Sequence, residues 1–183
     1  NSKMLSGDLS TLLAGRYVEI RVHPLTYPEF LEFHGLEDSD DSLMIYLNYG
    51  GLPGLRQIGL DSDEHVWAYL SSVFNTIMLK DIIERHDIRN VTFLNNLIAF
   101  YADTTGKLTS ANSISKYVKS QGKNISSNLV LLYRSFYQEA YLLNAVSRYD
   151  IHGKRILESN EKIYWDDLGL RNLKAEGGID SYI

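Results

Sequence analysis

The sequence predicts a mainly α-helical chain with a small β-hairpin, carrying a winged helix-turn-helix in its second half. Two stretches lead there. "SANSISKYVKSQGKNISSNLVLLY", residues 110–133, divides into two short helices around a tight turn. After Ala140, "YLLNAVSRYD" and "KRILESNEKIYWDD" have strand composition, and "DIHGKR" between them supplies the turn of a wing with a basic tip. Through much of the remainder, apolar residues recur at spacings of three and four, the period of helices buried on one face.

Residues 4–14 read as a short amphipathic helix with Leu5, Leu9, Leu12 and Leu13 on one face, stopped by Gly15. "RYVEIRV", residues 16–22, alternates like a strand, with Val18, Ile20 and Val22 opposite Tyr17, Glu19 and Arg21. A strand so short needs a sheet around it; the alternative is an edge hairpin packed locally. "PLTYPEFLEFHG" begins a helix near Tyr27, where Pro28 is tolerated in the first turn. "LEDSDDS" is an acidic loop whose Asp or Ser caps the helix "LMIYLNYG", and "GGLPGL" interrupts the chain.

Residues 61–88 read as one long helix or two, with Val66, Leu70, Val73, Ile77 and Ile82 among the recurring positions. A further helix at residues 93–101 leads through "DTTGK" to the helix-turn-helix. There Ser110 caps the first helix, Ile114, Tyr117 and Val118 face inward, and Gly122 ends it where φ is positive. Ile125 is the buried plug, and Ser126 or Ser127 caps the second helix. Its inward stripe reads as Leu129, Leu132, Tyr133 and Phe136. "GLRNLKAEGGIDSYI" starts a new helix, and both ends of the chain read as cut.

Composition narrows the class of protein. The chain has 183 residues, 44% hydrophobic and 22% charged, and no apolar run of about 18 residues that would span a membrane. Its start resembles no signal peptide, and the absence of cysteine excludes disulfides and thiolate metal sites, so a cytoplasmic location is expected. The net charge of −5 conceals an asymmetry. Residues 1–90 hold 7 basic and 14 acidic side chains, whereas residues 107–155 hold 8 and 2. A locally basic window around a helix-turn-helix is what phosphate contact requires.

Several stretches occur in a telling order: "NSKMLSGDLSTLLAGRYVEIRVHPLTYPEFLEF", "YGGLPG", "LKDIIERHDIR", "TSANSISKYVKSQG" and "RYDIHGKRILESNEKIYWDDLGLRN". Together they resemble a prokaryotic family of AAA+ superfamily ATPases, in which a P-loop core precedes a helical lid, a winged helix and a nuclease-like C-terminal domain. The resemblance implies a core remnant at residues 1–30 and a lid at 31–90. A winged helix at 91–165 and the start of a truncated domain at 166–183 follow. The phosphate loop and the acidic Mg²⁺-binding strand are missing from the sequence. ATP and Mg²⁺ are therefore implied for the intact protein, with no cofactor and no ATP hydrolysis expected of this fragment.

The same resemblance assigns candidate residues. Asn1 lies at a sensor position, implied to touch the γ-phosphate or orient water. Arg16 lies at the start of the last core strand, implied to be an arginine finger or a subunit contact, or else a surface Arg paired with an acidic neighbour. Gly51 and Pro53 match a lid element that contacts adenine or its phosphates; read alone, the stretch is a helix–helix turn. Arg85 matches a lid arginine, or pairs with Glu84 or with Asp81 one turn earlier. Lys116, Lys119, Lys123, Lys154 and Arg155 can hold nucleic-acid phosphates, although a solvated helix face is the plainer reading. Asn128 and Arg134 are the base-reading candidates, preceded by an apolar "LVLL" run that offers bases nothing.

The five histidines lack metal-ligand spacing, and Asp166 and Asp167, adjacent on a strand, point to opposite faces, so no metal site is expected. The implied function is coupling of nucleotide state, through lid and winged helix, to a partner or to nucleic acid. The alternative is a stand-alone winged-helix DNA-binding regulator, and a third reading is a structural interaction module. The expected partners are DNA bound weakly without sequence preference and a second copy of the chain, with no membrane.

Overall fold

Local side-chain chemistry sets where most of the helices start. The structure, a computed structural model, describes residues 20–147 and 160–175. In α1 (Tyr27–His34), the Glu29 carboxylate accepts from the Thr26 backbone N–H at 2.8 Å and the Thr26 hydroxyl at 2.7 Å, and Pro28 occupies the first turn. Ser39 caps α2 (Asp40–Tyr49), accepting the Ser42 N–H at 3.2 Å. A one-turn helix, α3 (Leu55–Ile58), follows the Gly/Pro interruption.

Ser62 caps α4 (Asp63–Thr76), which continues without a break into a π-helical segment, Ile77–Ile83. The helix expected over residues 61–88 is thus one run with a change of pitch. Asn90 caps α5 (Val91–Asp103) by accepting the Phe93 N–H at 3.0 Å. Leu70 and Phe74 of α4, Met78 and Ile82 beyond it, and Leu94 and Leu97 of α5 belong to one continuous buried cluster.

The second half continues with β1 (Leu108–Thr109), α6 (Ala111–Ser120), α7 (Ser127–Glu139), β2 (Leu143–Ser147) and β3 (Glu161–Trp165). The strands form an antiparallel sheet in the order β1-β3-β2, with Leu143 opposite Trp165, Ser147 opposite Glu161, and Leu108 opposite Lys162. At two residues, β1 is too short to leave an alternation in the sequence. The fold class is accordingly mainly α with a small sheet of three described strands rather than a hairpin alone.

The turn between α6 and α7 follows the sequence expectation closely. Ser110 accepts the Ser113 N–H at 3.1 Å, Gly122 has φ +79°, and Ser126 accepts the Leu129 N–H at 3.2 Å. Ile125 is buried, and the Ser115 hydroxyl donates to its carbonyl at 2.6 Å, which ties the turn to α6.

The face of α7 matches expectation at Tyr133 and Phe136 and departs from it elsewhere. Val130, Tyr133, Phe136 and Tyr137 are inward, whereas Leu132 is 48% exposed. Two partners on α5 set this rotation: the Tyr137 hydroxyl donates to the Leu94 carbonyl, and the Tyr133 ring lies 5.8 Å from that of Phe93. Tyr117, expected inward on α6, is 66% exposed.

The helix at residues 4–14 and the turn "DIHGKR" lie outside the described residues. Of the strand expected over residues 16–22, Ile20, Arg21 and Val22 are described and form no strand, with Ile20 81% and Val22 88% exposed. Their apolar alternation meets no sheet face to bury it. The closing helix, α8 (Leu168–Asn172), packs against α2 and α4. The first expected boundary, after residue 30, falls inside α1.

Candidate functional site

The residues singled out from sequence fall in different places. Asn1, Arg16, Lys154 and Arg155 lie outside the described residues. Lys116 and Lys119 of α6, Lys123 of the turn and Asn128 of α7 are all exposed. The three lysines carry no acidic partner among the described residues. Arg134 is withdrawn. Its guanidinium is ion-paired to Glu161 at the start of β3, and both side chains are mostly buried, at 15% and 19% exposure. The helix therefore presents Asn128, Leu131 and Leu132 to solvent, with its cation committed to the sheet.

Gly51 is committed as well. Its N–H donates to Asp167 Oδ2 at 2.8 Å, and its carbonyl accepts the Leu25 N–H at 2.8 Å. A Cβ at Gly51 would come within 2.1 Å of the Leu25 carbonyl oxygen, so no other residue fits this close approach. Both backbone groups that a nucleotide would use in the expected lid role thus have partners within the chain. Pro53, two residues on, is exposed.

Asp167, read in the sequence as a strand residue facing away from Asp166, lies just beyond β3. It caps α8, with Oδ1 accepting the Leu170 N–H at 2.9 Å, and is only 4% exposed. Burial pushes its carboxyl up to about 6, against the backbone N–H donors of Leu170, Gly51 and Gly169, which pull the other way. Asp166 points elsewhere: its Oδ1 lies 3.0 Å from His23 Nδ1 and accepts the Asn144 amide at 2.8 Å.

The rest of α8 completes the junction. Arg171, 2% exposed, donates through Nε to the Ala102 carbonyl at 3.0 Å. The Asn172 amide donates to the carbonyls of Leu47 at 2.8 Å and Asn48 at 2.9 Å, closing the end of α2. These ties join α8 to helices on both sides of the chain's midpoint.

A groove of about 860 Å³ opens between α5 and α6. Phe93, Leu97, Ile114 and Ile125 form its floor, and Asn90, Asn96, Gln121 and Asn124 are among its polar lining. Each of these helices read as core in the sequence, and no local signal marks the gap between them.

Helices packed around a small antiparallel sheet, with lysines on one surface and an apolar groove beside them, describe a mainly α module with surfaces for contact. The chain belongs to the family described as "Domain of unknown function (DUF8612)", which matches residues 40–178. It is 34% identical over 175 residues to an uncharacterized protein of Haemophilus influenzae, covering 93% of this chain and 43% of that protein. It is 28% identical over 178 residues to the uncharacterized protein MJ1544 of Methanocaldococcus jannaschii, covering 90% of this chain and 39% of that one. The chain thus spans about two-fifths of the length of these curated relatives. No solved structure matches significantly.

This family replaces the AAA+ ATPase suggested by the order of short motifs. Neither the family nor these relatives point to such an ATPase, and the ATPase, ATP-binding and P-loop assignments that followed from the resemblance fall with it. Each motif taken alone was compatible with an ordinary helix cap or turn. No described helix is long and apolar enough to cross a membrane.

Proposed function

We propose that residues 91–165 are a winged helix-turn-helix that works as a docking module for a protein partner, braced by the helices before it. The order helix, strand, helix, helix, strand, strand and the β1-β3-β2 sheet support the winged-helix reading. The observation that carries the docking role is the outer face of α7. Base edges call for free Arg, Asn or Gln side chains, whereas this face offers Leu131, Leu132 and Asn128, with Arg134 paired to Glu161. Exposed apolar side chains such as these suit a protein surface.

Lys116, Lys119 and Lys123 favour a secondary property, phosphate contact that reads no sequence. Selection from random duplexes, followed by binding at two salt concentrations, tests both parts. The expected result is no enriched sequence and a log–log salt slope of about −3 to −4.5, for three lysines or for those three with Lys154 and Arg155. Affinity capture should retain a protein that the Leu131→Asp/Leu132→Asp variant loses while its thermal unfolding is unchanged. A selected sequence bound about a thousandfold above random DNA, with the preference erased by Arg134→Ala, would make α7 a base reader and overturn the proposal.

A further inference from the structure

The groove between α5 and α6 has the chemistry of a ligand site, independent of the outer face of α7. Its volume, about 860 Å³, lies within the range of small-molecule pockets. The floor is aliphatic and aromatic, with Phe100 and Val118 adding to the buried Phe93, Leu97, Ile114 and Ile125. Its polar lining is made chiefly of neutral amides. Lys123 is the one charged side chain among the lining residues, and no carboxylate joins it. Tyr117, two-thirds exposed, stands at the edge.

We propose that this groove binds a small amphiphilic carboxylic acid, its alkyl or aryl body on the apolar floor and its carboxylate against Lys123. Charge decides the head group: with one cation and no anion in the lining, an anionic head gains an ion pair and a cationic head is repelled. Apolar area decides the body. The amides of Gln121 and Asn124, beside Lys123 on the turn, supply neutral donors for the second carboxylate oxygen. Because the turn runs directly into Ser126, the cap of α7, an occupant here braces α6 against α5 and steadies the start of α7.

Amide-resolved NMR of the full chain, titrated with decanoate and in parallel with decanol, tests the site. Decanoate should give saturable shifts confined to residues 90–100 and 113–125, with a Kd of roughly 0.1–1 mM for a ligand of this size. Decanol should bind about two- to fivefold more weakly, and Lys123→Gln should weaken decanoate by the same factor without affecting decanol. Asn96→Trp, an exposed position on the groove wall, should abolish both while leaving the remaining resonances in place. Absence of saturable shifts, equal affinity for the two probes, or indifference of decanoate to Lys123→Gln would each overturn the proposal. Shifts of the same residues on raising protein concentration without probe would show that a second copy fills the groove, and would overturn it too.

Discussion

Asp167→Ala removes a carboxylate that serves two distant segments at once. At α8 it deletes the cap on the Leu170 N–H, a loss of about 0.5–2 kcal/mol. At the interruption it strands the buried Gly51 N–H, which costs a further 1–3 kcal/mol or so. The variant should therefore be less stable by about 2–4 kcal/mol at neutral pH, read from urea denaturation of both chains. The gap should also depend on pH. The folded carboxyl titrates near 6, above its ordinary value of 3.8, so the folded state holds this proton more tightly than the unfolded state.

A raised value contributes stability that is complete below the unfolded value and is lost as pH rises through the folded one. Between pH 7 and pH 5 the wild type should gain about 1 kcal/mol relative to the variant, and about 3 kcal/mol by the time pH falls below 3.8. A loss under about 0.5 kcal/mol at pH 7 would refute the double role. A gap that narrows on acidification would show that hydrogen bonding outweighs burial at this carboxyl.

Two further substitutions test the packing. Gly51→Ala drives a methyl into the Leu25 carbonyl and should cost about 3 kcal/mol, seen as a lowered denaturation midpoint at unchanged slope. Tyr137→Phe removes the hydroxyl that satisfies the Leu94 carbonyl in a buried setting, and should cost about 1–2 kcal/mol in the same assay; no change would mean that water replaces it.

How far the sequence revealed these features depended on how local their causes are. The cap at Ser110 and the turn at Gly122 were legible, and the caps at Ser39 and Ser126 were narrowed to a few neighbouring residues, since each cause lies within three residues. The buried face of α7 was legible only in part: Tyr133 and Phe136 were, Val130 and Tyr137 were not. Its leucines and aromatics allow more than one stripe, and the choice is made by Leu94 and Phe93 some forty residues earlier. Asp167 was rightly set apart from Asp166, but its burial could not be read, because it depends on a glycine 116 residues away. The groove was hidden for a related reason: it exists only where two helices, each ordinary in itself, fail to close on one another. Lysine positions on α6 were readable, but the neutralisation of Arg134 required knowing which strand end lies beneath it.

The ties made by α8 also set a timetable for synthesis. Gly51, Leu47 and Asn48 acquire partners from residues 167 and 172, so the first helices leave the ribosome long before the groups that complete them exist. At about 5–20 residues per second, the wait between translating Gly51 and Asp167 is roughly 6–23 s. Through that interval the carbonyls ending α2 and the N–H of Gly51 are left to water, and the apolar face that α8 will cover stays open. Nascent chains stalled before residue 167 should consequently engage chaperones more readily than chains extended well beyond residue 172, which makes the appearance of α8 the decisive step of this fold.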